Sequence, residues 1–350
     1  MSVSKTALAK FEEKFEKSYG ASTLRTPDPS SVYDVISTGS LAIDYITGVG
    51  GFVEGRLVEI WGPDGTGKTT LSLMTCAQAQ KKYPDRLVAW IDMEHAFDDK
   101  WAADHGIDVS KLKVYTPDSA EDVADAMKDF IQSGFFSIVV LDSVGAMITE
   151  KEKEKAADEV VMAGKAKIVT RMVNIAAVEA PKTHTTVVII NQVRANLSYG
   201  ADTTTGGGFA LKHVTTMKLN LKRTGTVPFK EKIGDEERIV GHEIKIRTDR
   251  NRVSPAYRTI EVVLFNQPSS YGPVGIDLAD EAFTMGRKVG VIEQKGNTYT
   301  LPTGESFVGR PKAIDALRAD PAAVQTIRER VLAATIEFDP AEVEPGDEDE

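Results

Sequence analysis

The chain has 350 residues, enough for one large domain with appendages or for two domains. A composition of 41% hydrophobic and 27% charged residues is that of an ordinary soluble globular protein, and a single cysteine, Cys76, excludes both a disulfide framework and a cysteine-built zinc site. The net charge of −10 argues, on composition alone, against a nucleic-acid partner, but six acids of that balance lie in residues 341–350, which hold no Lys or Arg. In chain order, Met1 to Lys17 lacks the apolar centre of a signal peptide and reads as a helix. Val3, Ala7, Leu8, Phe11 and Phe15 share one face, and Gly20 ends it. Thr26 to Ser31 is a linker by composition. The helix's apolar face must pack on its own core or, given that linker, on a neighbouring subunit. No run approaches the roughly 18 apolar residues of a membrane span, so a cytoplasmic location without a membrane partner is the expectation.

From Val32 onward, wholly apolar strands are predicted at 57–61, 87–91, 112–115, 138–141 and 187–191, with helices at 70–80, 119–132 and 161–179. Such strands separated by helices indicate a parallel sheet covered on both faces. Strands at 214–222, 241–248 and 259–265, joined by loops, suggest an antiparallel extension of that sheet. A smaller module follows, with a helix near 275–287, a hairpin at Gly296-Asn297 and helices near 311–318 and 321–335. The expected fold class is α/β: a mostly parallel central sheet with helices on both faces, an antiparallel extension, an N-terminal helical arm and a small α+β C-terminal domain. The boundaries read as 1–31 for arm and linker, 32–269 for the core, 270–336 for the C-terminal domain and 337–350 for an acidic tail. A tail of this kind is expected to be disordered, aiding solubility or competing with DNA phosphate for a basic surface.

Gly62-Pro63-Asp64-Gly65-Thr66-Gly67-Lys68-Thr69 fits G-x-x-x-x-G-K-[ST], the P-loop, between a predicted strand and a helix that continues from Thr70. Its backbone N–H groups would wrap phosphates at the positive end of the helix. Lys68 would reach the β/γ-phosphates and Thr69 would hold Mg²⁺. Three other apolar strands end in polar residues, and ligands of parallel sheets bind at such ends. Ile138 to Leu141 runs into Asp142, a candidate for the Mg²⁺ shell. Trp90-Ile91 runs into Asp92, Glu94 and Asp98. Glu94 is the best candidate for orienting water on a γ-phosphate, and Trp101 could stack on a base or simply pack. Ile189-Ile190 runs into Asn191, Gln192 and Arg194, where an amide can sense the γ-phosphate. The loop beyond, 195–209, is rich in Gly, Ser and Thr, which suits phosphate-backbone contacts, the alternative being an inert long loop. Arg250 and Arg252 are either surface charges or arginine fingers for a neighbour's site.

These stretches, together with Ile36 to Leu41, Gly48 to Gly51, Gly55-Arg56, Glu94-His95-Ala96, Asp142-Ser143-Val144, Thr203 to Gly207 and Ala210-Leu211-Lys212, resemble the RecA family of bacterial recombinases and its phage-encoded relatives from about residue 5 to 335. The resemblance implies a RecA-type ATPase core using ATP and Mg²⁺. It implies a homo-oligomeric filament on single-stranded DNA that pairs it with homologous duplex, and accessory single-strand-binding and loader proteins as partners. It casts Glu94 as the catalytic glutamate, Gln192 as the γ-phosphate sensor, and Asp98 and Trp101 as adenine contacts. The segments at about 150–164 and 195–209 take the place of two DNA-binding loops, with Arg194, Asn196, Ser198, Thr203, Thr204, Thr205, Gly206 and Gly207 as DNA contacts. Arg250 and Arg252 stand where the family reaches ATP across the subunit interface with lysines, which changes donor geometry. His213 stands where an aromatic is common, and Asn266 near a position that often carries Tyr. The first loop holds the charged run Glu150 to Lys155, which reads equally as a solvated helix extension. A RecA-fold hexameric helicase or branch-migration ATPase is the alternative function. A nucleotide-switched scaffold without DNA is a third, disfavoured by the hydroxyl-rich loop.

Overall fold

The computed structural model describes residues 4–20, 24, 32–154, 162–194, 204–205, 208–224, 229–233, 236–270 and 274–334. The linker 26–31, most of the loop 195–209 and the acidic tail lie outside the described residues. The chain forms two compact units, Met1–Tyr33 and Asp34–Glu350.

The first unit is helix α1 (Lys5–Tyr19), closed where Gly20 N–H donates to Glu16 O at 2.8 Å. Phe11 and Phe15 of the expected face stand together, ring centroids 5.7 Å apart, and Tyr19 extends the row with its ring 4.6 Å from Phe15. No residue of α1 is buried.

The second unit opens with β1 (Val35–Ile36), α2 (Leu41–Thr47) and β2 (Phe52–Val53), where β1 and β2 pair antiparallel. Next come β3 (Leu57–Gly62), α3 (Lys68–Lys82), β4 (Leu87–Asp92), α4 (Asp99–Asp104), β5 (Leu112–Tyr115), α5 (Ala120–Ser133) and β6 (Phe136–Asp142). They are followed by α6 (Glu150–Glu154), α7 (Met162–Thr183), β7 (Thr186–Arg194), β8 (Thr204–Thr205), α8 (Gly208–Val214) and β9 (Met217–Arg223). Then come β10 (Phe229–Ile233), β11 (Glu236–Asn251), β12 (Thr259–Phe265), β13 (Gly275–Ile276) and α9 (Leu278–Lys288). Last are the small sheet β14 (Glu293–Lys295), β15 (Thr298–Thr300) and β16 (Ser306–Val308), then α10 (Arg310–Ala319) and α11 (Pro321–Ala334).

The central sheet runs β13-β12-β11-β9-β3-β7-β6-β4-β5, with β10 on β11 and β8 on β7. From β5 to β9 the pairings are parallel; β11, β12 and β13 each pair antiparallel with the preceding strand of that path. The extension therefore begins one strand later than the loop-joined pattern suggests, since β9 lies parallel to β3. Side chains alternate between two cores, as a period of two requires. Val58, Ile60, Val88, Trp90, Val140 and Ile190 face α2, α3 and α9–α11. Leu57, Ala89, Ile91, Val139, Leu141 and Ile189 face α5, α7 and α8. Ser119 and Asp122 form a capping box that starts α5, each bonding the other's backbone N–H at 3.1 Å. Some boundaries differ from expectation: residue 214 ends α8 rather than starting a strand, and the strand expected at 241–248 is the middle of the sixteen-residue β11. Among the described residues no helix is long and apolar enough to cross a membrane.

Candidate nucleotide site and adjoining basic face

Register brings the site together. Gly62, the last residue of β3, lies beside Gln192 of β7, and Asp92 of β4 lies beside Asp142 of β6. The P-loop leaves β3 and enters α3 at Lys68. Gly67 sits at φ +86°, and a Cβ there would meet the Leu264 side chain at 2.3 Å, so the loop's packing admits only glycine. Thr66 Oγ1 donates to Pro63 O at 2.8 Å, and Arg223 donates to Gly65 O through Nε and Nη2 at 3.1 and 2.9 Å. Lys68 is buried. Its Nζ donates to Gly62 O and Pro63 O at 2.9 and 2.8 Å and lies 3.7 Å from Asp64. Burial holds its pKa below the ordinary lysine value, against the opposing pull of Asp64, Asp142 and Glu94. Thr70 is buried in the first turn of α3.

Thr69 Oγ1 donates to Asp142 Oδ2 at 3.0 Å. Burial first, then repulsion from Glu94, pushes the Asp142 carboxyl up to about 7, while the Thr69 bond works the other way. Asp92 is engaged by backbone, accepting from Glu94 N at 3.1 Å and Phe97 N at 2.9 Å, which fixes the turn that carries Glu94. Glu94 Oε1 accepts from both Ser143 Oγ at 2.6 Å and Gln192 Nε2 at 2.8 Å. The expected catalytic glutamate and sensor amide thus touch each other. Asp98 caps α4, accepting from Trp101 N at 2.8 Å, and the Trp101 ring meets His105 edge-on at 4.6 Å. A hydroxyl, a carboxylate and a dense acidic neighbourhood beside a glycine-lined loop form a hard-oxygen donor set that fits Mg²⁺ with a polyphosphate.

Arg250 and Arg252 end β11 and follow it, and they reach α8: Arg250 Nη1 donates to Lys212 O and Arg252 Nη2 to His213 O. Burial, then the proximity of Arg252, lowers the Arg250 pKa. Arg194 ends β7, and Thr204 and Thr205 form β8 beside it, with Val193 opposite Thr205 and Arg194 opposite Thr204. Asn196, Ser198, Thr203, Gly206 and Gly207 lie outside the described residues. In the first loop segment, Glu150–Glu154 is helical and α7 begins at Met162; 155–161 lie outside the described residues. His213 is exposed at the end of α8, and Asn266 N–H donates to Val240 O at 2.9 Å.

A second set of residues was not singled out from sequence. Glu59, fully buried, accepts from Asn191 Nδ2 at 2.9 Å and lies 3.3 Å from Lys218 Nζ, which sits 4.6 Å over the Trp61 ring. Trp61 Nε1 and Arg247 Nε both donate to Asp249, at 2.8 and 2.6 Å. Asn220, Lys222, Lys245 and Arg247 line a cavity of about 170 Å³, with Lys222 directly opposite Lys245 and Asn220 opposite Arg247. Lys222 and Lys245 set like charges directly opposite each other across the strands, an unfavourable pairing in itself. The spacing of two along each strand was visible in the sequence; the register that pairs them was not.

A P-loop between parallel strands, with carboxylates and an amide closing on it from neighbouring strand ends, defines a nucleoside-triphosphate-binding α/β protein. The family model described as the RecA N-terminal domain matches residues 3–269. Protein RecA of Cereibacter sphaeroides is 31% identical over 346 residues, 98% of this chain and 96% of that protein. Protein RecA of Chlorobaculum parvum is 34% identical over 324 residues, 91% of this chain and 89% of that protein. The chain belongs to the RecA family of recombination proteins. Among solved structures, that of the RadB recombinase aligns with a TM-score of 0.49 at 22% identity, over 65% of this chain and 95% of that one.

Proposed function

We propose that this protein is a DNA-dependent ATPase that assembles as a helical filament on single-stranded DNA and catalyses homologous pairing and strand exchange. The observation that carries the reading is the Gln192–Glu94 hydrogen bond, because it joins the water-positioning carboxylate to the strand that leads into the hydroxyl-rich loop. Lys68, with the backbone N–H groups of residues 62–70, binds the β/γ-phosphates of ATP. Thr69 and Asp142 would hold Mg²⁺, which would supply neutralisation of phosphate charge. Gln192 turns from Glu94 to the γ-phosphate and draws β7 and the following loop with it. Glu94, then held by Ser143, orients water for attack. Asp98 and Trp101 border the adenine side.

Arg250 and Arg252 serve the triphosphate of an adjacent subunit, so the site is completed only by assembly. DNA is held by its backbone, through Arg194 and the segment 196–207 and through the Lys222, Lys245 and Arg247 face, which predicts weak sequence preference and steep salt dependence. The C-terminal domain gathers duplex, in competition with the acidic tail. The test is strand exchange between circular single strands and linear duplex with ATP, alongside hydrolysis with and without single-stranded DNA. Joint molecules and DNA-stimulated hydrolysis are expected, and both vanish in Lys68→Ala. DNA-stimulated hydrolysis without joint molecules would instead indicate a helicase or branch-migration motor.

A further inference from the structure

Helix α2 touches both the C-terminal helices α9 and α11 and the strand β11. All seven of its residues, Leu41 to Thr47, are buried. At its start, Glu281 of α9 accepts from Ser40 Oγ, from Leu41 N at 2.7 Å and from Ala42 N at 3.2 Å. Alongside, Asp44 accepts from Thr38 N at 2.8 Å and from the Arg328 guanidinium of α11. The C-terminal helices therefore grip α2 through two buried carboxylates.

At its other end, Asn251 Nδ2 donates to Thr47 O at 2.8 Å, while Asn251 Oδ1 accepts from Val253 N at 3.1 Å. Asn251 is the residue between Arg250 and Arg252. The joint has no slack: Gly48, at φ +75°, leaves so little room that a Cβ would lie 1.9 Å from Ser254 Oγ. A short helix buried along its whole length moves as one body, since close-packed interiors transmit displacement.

We propose that Glu281 is a positioning residue for Arg250, acting through α2 as a rigid bar, so that the seating of α9 and α11 on the core governs hydrolysis at the site that Arg250 serves. This rests on the reading that Arg250 acts on an adjacent subunit's triphosphate. Movement of the C-terminal helices on engaging a ligand would then alter hydrolysis without any contact to nucleotide.

The test uses the full chain on single-stranded DNA and compares wild type, Glu281→Gln, Ser40→Ala, Arg250→Ala and the double variants that add Arg250→Ala. Glu281→Gln and Ser40→Ala should each lower kcat about threefold or more, with the KM for ATP little changed, and neither should lower kcat further once Arg250 is alanine. Losses that multiply in the double variants would overturn the proposal, because an independent loss of folded protein behaves that way. So would unchanged kcat in both single variants. Should Glu281→Gln fail to fold in thermal unfolding, Ser40→Ala carries the same comparison. If Arg250→Ala itself hydrolyses ATP like wild type, the arginine reading fails; if it is impaired while the other single variants are not, only the bar is rejected.

Discussion

Glu94 shows how single residues divide the work at the strand ends. One of its carboxylate oxygens takes both the Ser143 hydroxyl and the Gln192 amide. Glu94→Gln keeps a side chain of the same shape but removes the charge that polarises water. The expected outcome is ATP binding retained, with hydrolysis lower by about 100-fold or more, measured by nucleotide binding and steady-state turnover. An unaltered rate would remove Glu94 from the water-positioning role. The placing of Glu94, Asp142 and Gln192 at neighbouring strand ends was legible in the sequence, because each comes at or just after the end of an apolar run. Ser143 and Glu59 were not. A small hydroxyl beside an acid is common, and a glutamate inside an apolar strand reveals its purpose only once Asn191 and Lys218 are seen against it.

At the scale of elements, α9 and α2 form a joint with a pH signature. Burial first of all pushes the Glu281 carboxyl up to about 7, against the donated bonds of Ser40, Leu41 and Ala42. Asp44 of α2 adds repulsion, while Arg328 of α11 and Lys81 of α3 line a cavity together with Glu281. A carboxyl whose folded pKa exceeds its unfolded value takes up its proton more readily when folded. Its contribution to stability is full below the unfolded value near 4.5 and is lost as pH rises to about 7. Wild type should therefore lose melting temperature relative to Glu281→Gln as pH rises from about 5 to about 7, with a level difference above it. Calorimetry across that range checks this, and parallel pH profiles would contradict it. Helix α2 was not predicted because seven residues buried on every side carry no 3.6-residue periodicity. The longer, one-sided helices α5 and α7 were found within a few residues of their ends.

For the whole molecule, the alternation of apolar strands with helices made the parallel sheet legible, but strand order was not, because it depends on packing between distant segments. The N-terminal unit gives a test at this scale. No residue of α1 is buried, and Leu8, Phe11 and Tyr19 are exposed, so removing residues 1–33 should leave the remaining unit folded. The truncated chain should lose self-assembly in light scattering and, with it, DNA-stimulated hydrolysis. Retained assembly would show that α1 is not the docking arm.

The position of β3 also bears on how the chain is made. Its two neighbours in the sheet, β7 and β9, both follow it in the chain, and the Glu59–Asn191 contact spans 132 residues. At ordinary synthesis speeds the strand bearing the P-loop leaves the ribosome roughly ten seconds before the first strand that can pair with it. Until then both its edges are open to other chains, so the strand that leads into the P-loop is also where a nascent chain is exposed to aggregation and to chaperone capture.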